Sequence, residues 1–168
     1  ALDYPGVPFN DYLFIDRDLR TGCGSWIPLG TAYLGDKSSR RAFACYDKAK
    51  ELKERSGVVL PNPLLRLESR LRDVAKHSLL TLPKLSNPFT TLQVIEWNAL
   101  VDSSDFWLRT LAHRVAAGEP PDLAYYRDPH PHRKITWSKL TEVSAPWWDP
   151  ELAWKQFPSS NDWQQKLM

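Results

Sequence analysis

The chain has 168 residues and a mass of 19.4 kDa, the size of one domain, or of one domain with a modest tail. Apolar residues make up 42% and charged residues 25% of it, a globular composition that excludes disordered and fibrous classes. No apolar run approaches the roughly 18 residues that a membrane span requires, so we expect no membrane partner. The first residues, Ala-Leu-Asp-Tyr-Pro-Gly, show no secretory signal.

The number of cysteines and the distribution of charge indicate the cellular compartment and the kind of partner. Cys23 and Cys45 are too few for a disulfide framework and are not spaced like a zinc site, so we expect reduced thiols and a cytoplasmic protein. The formal net charge is +2, but residues 36–76 hold eleven basic and six acidic side chains. Such a local basic field indicates an anionic partner, nucleic acid first, although a solvated face with ordinary ion pairs explains it equally well.

The first half of the chain has strand patterns. We predict four strands, in chain order: residues 12–16, 29–34, 41–48 and 64–72. The Gly-Asp-Lys-Ser-Ser turn between the second and third strands predicts an antiparallel hairpin. Alternation puts Phe43 and Cys45 on one face of the third strand, and Ala44, Tyr46 and Lys48 on the other.

A short helix and a charged strand follow. The Lys/Glu-rich residues 49–55 favour a helix that Gly57 ends. In the fourth strand the leucines at 65, 67 and 71 share one face. The opposite, wet face carries charged side chains, namely Arg66, Glu68, Arg70 and Arg72.

The second half has helical and loop patterns. We predict helices over 89–100, over 106–117 after the start signal Ser-Ser-Asp, and from Asp149 to about residue 157, with loops over 121–146. The expected fold class is therefore α+β, with a small antiparallel sheet near the N-terminus followed by a helical, loop-rich C-terminal part. We place the β-rich part at 1–82 and the helical, Trp/Pro-rich part, packed on the first, at 83–168.

One set of motifs extends over several of these elements. The motifs are Tyr-Leu-Gly at 33–35, Lys-Ser-Ser-Arg at 37–40, Tyr-Asp-Lys at 46–48, Lys-Glu-Leu at 50–52 and Arg-Leu-Glu-Ser-Arg-Leu at 66–71. In this order and spacing, the stretch 29–72 resembles the rolling-circle replication initiators of filamentous phages, of the gene II type, and of related plasmids. The likeness covers about a quarter of the chain.

The resemblance implies a protein that nicks and rejoins one DNA strand. Such proteins attack a phosphodiester with a tyrosine, hold a covalent 5′-phosphotyrosine and use a divalent metal to polarise the phosphate. By position, Tyr46 is the candidate nucleophile. A free tyrosine has a pKa of about 10, so a metal or a cation such as Lys48 would have to favour the phenolate. A tyrosine that merely packs at a sheet margin is the alternative.

Glu68 is the candidate ligand of that metal, Mg²⁺ or Mn²⁺, because both ions take oxygen ligands. A single carboxylate rarely holds Mg²⁺, so partners are needed. Asp16 and Asp18, at the end of the first strand, are the nearest candidates. The alternatives are that Glu68 forms ion pairs with Arg66 and Arg70, and that the two aspartates are solvated turn residues.

The expected DNA contacts are cationic and hydroxyl side chains of the hairpin and the basic strand: Lys37, Ser38, Arg40, Arg41, Arg66 and Arg70. Contacts of this kind supply affinity for phosphate but read no sequence. The partner would be single-stranded or origin DNA. Only 45 residues precede Tyr46, where such initiators have a long N-terminal portion. We therefore expect a missing N-terminal segment, or a truncated regulatory form, with host replication proteins as further partners.

Two other functions stay open. One is a non-enzymatic DNA-binding regulator of replication, and the other is a protein-interaction module whose Trp- and Pro-rich second half docks a partner. Trp137, Trp147 and Trp148 could stack on bases, although core packing is the commoner use. His130-Pro131-His132 resembles a metal motif of nicking enzymes, but it lies after Tyr46 and between prolines, which favours a polar loop.

Overall fold

The structure is a computed structural model that describes residues 1–17, 25–27, 30–35, 41–71, 86–119 and 135–155, with the backbone alone at 25–27 and 71. It has the predicted α+β architecture. The strands are β1 (Leu2–Pro5), β2 (Tyr12–Asp16), β3 (Ser25–Ile27), β4 (Thr31–Leu34), β5 (Arg41–Asp47), β6 (Leu64–Leu71) and β7 (Leu92–Glu96). The α-helices are α1 (Lys48–Ser56), α2 (Trp97–Val101), α3 (Phe106–Ala116), α4 (Trp137–Glu142) and α5 (Pro150–Lys155).

Five of these strands form one antiparallel sheet in the order β1-β6-β5-β4-β3. The predicted hairpin joins β4 to β5, with Thr31 opposite Tyr46. On the other side of β5, β6 places Arg66 opposite Tyr46 and Glu68 opposite Ala44. The predicted bounds of β4, β5 and β6 agree with the structure to within two residues, whereas β1 and β3 were not predicted.

Side-chain alternation gives this sheet two unlike faces. The inner face is apolar, and its central side chains are at most 1% exposed: Phe43, Cys45, Leu65 and Leu67. They pack in one cluster with side chains of β2 and β7. We call the opposite side, which carries Tyr46 and Glu68, the outer face. Cys45, predicted to be a reduced thiol, is buried.

β2 and β7 pair with each other as a two-stranded antiparallel sheet. The helix predicted over 89–100 is therefore wrong, because β7 and the short α2 occupy most of that range. The two-stranded sheet is covered on both sides: Phe14 and Val94 contact the cluster under the larger sheet, while Leu13 and Ile95 contact the cluster under the helices. A strand with no wet face shows no alternation, so its apolar run resembles a buried helix.

The two predicted parts of the chain share a core. The rings of Phe43 and Phe89 lie 5.8 Å apart, and the Trp148 indole donates a 3.0 Å hydrogen bond to the Leu92 carbonyl. The helical part thus packs on the β-rich part through β7 and Trp148. The boundary predicted near residue 83 lies outside the described residues.

Three helices lie where the sequence predicted them, namely α1, α3 and α5. Asp47 caps α1 by accepting a hydrogen bond from the Lys50 backbone N–H, and Gly57 ends it with a left-handed φ of 70°. Asp105 and Asp149 cap α3 and α5 in the same way. Part of the region predicted as loop forms α4. Within the described residues, we find no helix whose length and apolar character would let it cross a bilayer.

Candidate active site

The outer face gathers hydroxyl, carboxylate and guanidinium groups from neighbouring strands. Three of these side chains project from the same face of the sheet: Tyr33 of β4, Tyr46 of β5 and Glu68 of β6. Side chains alternate between the two faces along each strand, and residues paired across neighbouring strands point to the same face. Ala44 lies opposite both Tyr33 and Glu68, one on each side. Its small side chain is fully buried between the larger ones.

The predicted nucleophile and the predicted metal ligand are in contact. The Tyr46 hydroxyl donates a hydrogen bond to Glu68 Oε1 at 2.6 Å. The two residues are diagonal neighbours on paired strands, a relation that long side chains can span. Both are partly exposed, which confirms that the phenol and the carboxylate share a water-facing side of the sheet.

Glu68 is held in its ionised form by its neighbours. Its second oxygen accepts a hydrogen bond from Arg70 Nη2 at 3.1 Å. Burial alone would raise the pKa of Glu68, but the hydrogen bonds from Tyr46 and Arg70, with the charges of Arg70 and Arg66, bring it below the ordinary value. At neutral pH the carboxylate is therefore available as a proton acceptor.

The pKa of Tyr46 is shifted upward, whereas an activated phenolate would require a lower pKa. Burial, followed by the hydrogen bond to Glu68, raises the pKa of Tyr46 to about 12, while Arg66 acts to lower it. Arg66, and not Lys48, is the cation that acts to lower this pKa, and the phenol is protonated at neutral pH. Activation of Tyr46 by a metal stays a prediction. A nucleophile in this state needs a base that takes its proton during attack, and Glu68 lies at the distance that this requires.

Arg66 is anchored from β1, by a residue that was not predicted. Its Nε and Nη2 donate to the two carboxylate oxygens of Asp3 at 2.5 and 2.6 Å. The hydrogen bond from Arg66 lowers the pKa of Asp3. A chain of polar contacts therefore crosses the outer face from Asp3 through Arg66, Tyr46 and Glu68 to Arg70.

Helix α1 borders a groove of about 420 Å³ above this face. Tyr33, Tyr46 and Glu68 line it from the sheet, and Glu51 lines it from the helix. Lys48 was predicted to share a strand face with Tyr46, and this is wrong because the strand ends at Asp47. Lys48 begins the helix instead, and its ammonium pairs with Glu51.

Arg41 and Asp16 lie on the other side of the sheet. Arg41 precedes Phe43 by two residues and shares its face, where Arg41 Nη2 lies 3.3 Å from both carboxylate oxygens of the fully buried Asp16. Two expectations are corrected here. Asp16 does not join Glu68 in a metal site, and Arg41 does not reach the phosphate at Tyr46. A buried carboxylate requires a cationic or hydrogen-bonding partner, and Arg41 supplies one.

The remaining candidates fall in segments that the structure does not describe. Among the predicted site residues these are Asp18, Lys37, Ser38 and Arg40. His130 and His132 also lie outside the described residues. The hairpin tip and its phosphate contacts therefore stay a prediction.

The described residues do not by themselves fit a divalent cation. Nowhere in the described ranges do three or more His, Cys, Asp or Glu side chains form a group that could hold a metal ion. The two oxygens of Glu68 already accept hydrogen bonds from Tyr46 and Arg70. The predicted Mg²⁺ or Mn²⁺ site would need ligands from elsewhere, such as Asp18.

The basic field detected in the sequence is largely paired with acids wherever the structure describes it. The cations in ion pairs are Arg41, Lys48, Arg55, Arg66 and Arg70. Ordinary ion pairs, one of the two expectations, therefore account for these residues. A DNA phosphate that binds here would either displace a carboxylate from its cation or contact the cation beside that carboxylate.

The tryptophans that could stack on bases serve mainly as packing groups. Trp148 is buried in the core, and Trp147 packs against Tyr4 with ring centroids 4.6 Å apart. Trp137 packs on the cluster beneath the helices, and Arg17 lies over its ring. Core packing is confirmed for Trp148.

In comparisons with known proteins, no family model matches the chain, and neither does any curated protein. Function is therefore inferred from the residues of the outer face and from the resemblance of the motifs that contribute them.

Proposed function

We propose that this protein is a rolling-circle replication initiator, or part of one, that nicks and rejoins one DNA strand through Tyr46. The observation that supports the proposal most is the 2.6 Å hydrogen bond from the Tyr46 hydroxyl to Glu68 Oε1. It joins the side chains that two separate motifs, Tyr-Asp-Lys and Arg-Leu-Glu, single out on two different strands. With DNA as its substrate, the protein would act in the cytoplasm.

The proposed step balances with the groups at hand. The Tyr46 oxygen attacks phosphorus while its proton passes to Glu68. The bond from phosphorus to the 3′ oxygen breaks, and that oxygen takes a proton from solvent. The products are a 5′-phosphotyrosine and a free 3′ hydroxyl, and the reverse reaction rejoins the strand. A positioned general base of this kind contributes roughly 10²–10⁴-fold to a rate.

Two arginines flank the reacting atoms. Arg66 lies beside the phenol and Arg70 beside the carboxylate. A guanidinium has five N–H donors, so each arginine can hold its carboxylate and a phosphate oxygen together. Their role in the proposal is to stabilise the charge that builds up on the phosphate during attack.

Mg²⁺ or Mn²⁺ is part of the proposal only because the resemblance to replication initiators implies a divalent metal. Glu68 would be one ligand, and Asp18 is the predicted partner. When bound, the ion would polarise the phosphate.

The test is formation of a covalent adduct. The protein is incubated with Mg²⁺ or Mn²⁺ and a pool of single-stranded oligonucleotides of randomised sequence labelled at the 3′ end, because the 3′ fragment stays on the tyrosine. We expect labelled protein that survives denaturation, and its loss in Tyr46→Phe. Tyr12→Phe is the control, since it removes a hydroxyl from a tyrosine that packs on the core cluster and does not line the groove, and it should leave the adduct unchanged. An adduct that persists in Tyr46→Phe contradicts the assignment.

A DNA-binding regulator without nicking activity is the second candidate. The observation that favours it is the raised pKa of Tyr46 together with the ion-paired Glu68, because binding DNA requires no phenolate. In the same experiment, salt-sensitive DNA binding without an adduct would support this function. No binding even at low salt would support the protein-interaction module.

A further inference from the structure

The groove between α1 and the outer face has a charge balance that the nicking step does not use. Its lining includes four carboxylates and three cations. Such a lining has no excess positive charge, so it favours no phosphate beyond the one proposed to lie beside Tyr46 and Arg70. The part of a nucleotide that suits the rest of the groove is uncharged, which is the base.

Tyr33 offers a surface for a base. Its side chain is 38% exposed, and it lines the groove from β4. Because Thr31 is the registered partner of Tyr46, Tyr33 and Tyr46 are diagonal neighbours, typically about 7–8 Å apart. The small Ala44 beside Tyr33 cannot cover its ring.

Arg70 links this ring to the reacting groups. Its guanidinium carbon lies 5.7 Å from the centroid of the Tyr33 ring, and the same guanidinium donates to Glu68. Planar guanidinium groups stack on bases as well as on aromatic rings. Arg70 thus lies over one side of the Tyr33 ring, which stays partly exposed next to the Tyr46–Glu68 pair. The volume of the groove, about 420 Å³, falls within the range of small-ligand sites.

We infer that Tyr33 binds a base of single-stranded DNA by stacking, and that this base lies in the groove next to the phosphate that Tyr46 attacks. The inference rests on the proposed function, because it takes single-stranded DNA as the ligand of the same site. Stacking tolerates any base, since every base has an aromatic face. Tyr33 would accordingly supply affinity and placement without sequence preference.

The test compares Tyr33→Ala with Tyr33→Phe in equilibrium binding to two short single-stranded oligonucleotides, one of mixed sequence and one with the same backbone but abasic throughout. Loss of one stacked base should weaken Tyr33→Ala binding to the mixed oligonucleotide about 5- to 150-fold. Tyr33→Phe, which keeps the ring, should bind within about twofold of wild type. The salt dependence should be unchanged in both variants, because no phosphate contact is removed.

The abasic oligonucleotide keeps the test independent of how well the alanine variant folds. Wild type should bind it much more weakly than the mixed oligonucleotide, and Tyr33→Ala should show a smaller difference. If wild type binds single-stranded DNA but Tyr33→Ala binds equally tightly, the inference is overturned and the proposed function stands. If wild type binds no single-stranded DNA at low salt, both are overturned.

Discussion

The two faces of β5 and β6 use the same pair of strands for different purposes. On the inner face, Phe43, Cys45, Leu65 and Leu67 are almost fully excluded from water. On the outer face, Tyr46 and Glu68 remain partly exposed and meet in a hydrogen bond. The difference teaches that one strand pairing both buries a core and fixes the distance between two reactive groups. Changes on one face should therefore affect stability, and changes on the other should affect chemistry.

The largest expected effect tests the inner face. Phe43→Ala should lower the free energy of unfolding by about 3–5 kcal/mol, because it leaves a cavity beside Phe89 in a closely packed core. Denaturant titration measures this loss. At temperatures where the variant is folded, its rate of adduct formation should equal that of wild type. A stability change below about 1 kcal/mol would mean that this face is not the core.

The next effect tests the outer face. Glu68→Gln should slow adduct formation about 100-fold or more, because the amide cannot take the Tyr46 proton. Single-turnover measurement of the labelled adduct gives the rate. Glu54→Gln is the control, since Glu54 lines the same groove and has no part in the proposed step. Equal rates in the two variants would remove Glu68 from the chemistry.

A smaller effect concerns alkaline pH. The pKa of Tyr46 in the folded protein is about 12, against about 10 in an unfolded chain. The raised pKa means that the phenol contributes its stability fully below about pH 10 and loses it as the pH approaches 12. The difference in unfolding free energy between wild type and Tyr46→Phe should therefore shrink over this window, by about 1–2 kcal/mol after allowance for solvent screening.

Denaturant titrations at a series of pH values measure that difference. Tyr4, whose pKa burial also raises to about 12, loses stability at alkaline pH in wild type and in the variant alike and so cancels. A constant difference for Tyr46→Phe would mean that neither burial nor the hydrogen bond to Glu68 raises the pKa of Tyr46 in solution.

The smallest effect concerns the partly exposed ion pair on the outer face. Arg70→Gln should change the free energy of unfolding by less than about 1 kcal/mol, because its bond to Glu68 is open to solvent. Its binding to single-stranded DNA should nevertheless become less dependent on salt, since one phosphate contact is lost. A stability loss of several kcal/mol would show that the outer face also holds the fold together.

Much of the fold could be predicted where local signals agree with each other. The antiparallel pairing across the hairpin and the αL glycine at 57 both depend on signals within a few residues, and both are confirmed. β7 could not be recognised, because burial on both faces removes the alternation that marks a strand. β1 was missed because it is four residues long, although Leu2, Asp3 and Tyr4 do alternate.

The candidate site could be predicted in part. The alternation of side chains along β5 and β6 predicted that Tyr46 and Glu68 lie on the same face. The same alternation would have predicted that Arg41 lies with Phe43 on the inner face. Asp3 depends on a strand pairing between residues more than sixty positions apart. No local pattern signals such a contact. Tyr33 could have been found by the alternation between Ala32 and Leu34, both buried.

The most direct test of the central claim is to locate the DNA attachment on the chain. The denaturation-resistant adduct is digested with nuclease and protease, and its peptides are analysed by mass spectrometry. We predict a nucleotide mass, linked through phosphate, on the peptide that contains Tyr46 and on its tyrosine. Attachment at another tyrosine, or no attachment while single-stranded DNA is bound, would contradict nicking through Tyr46.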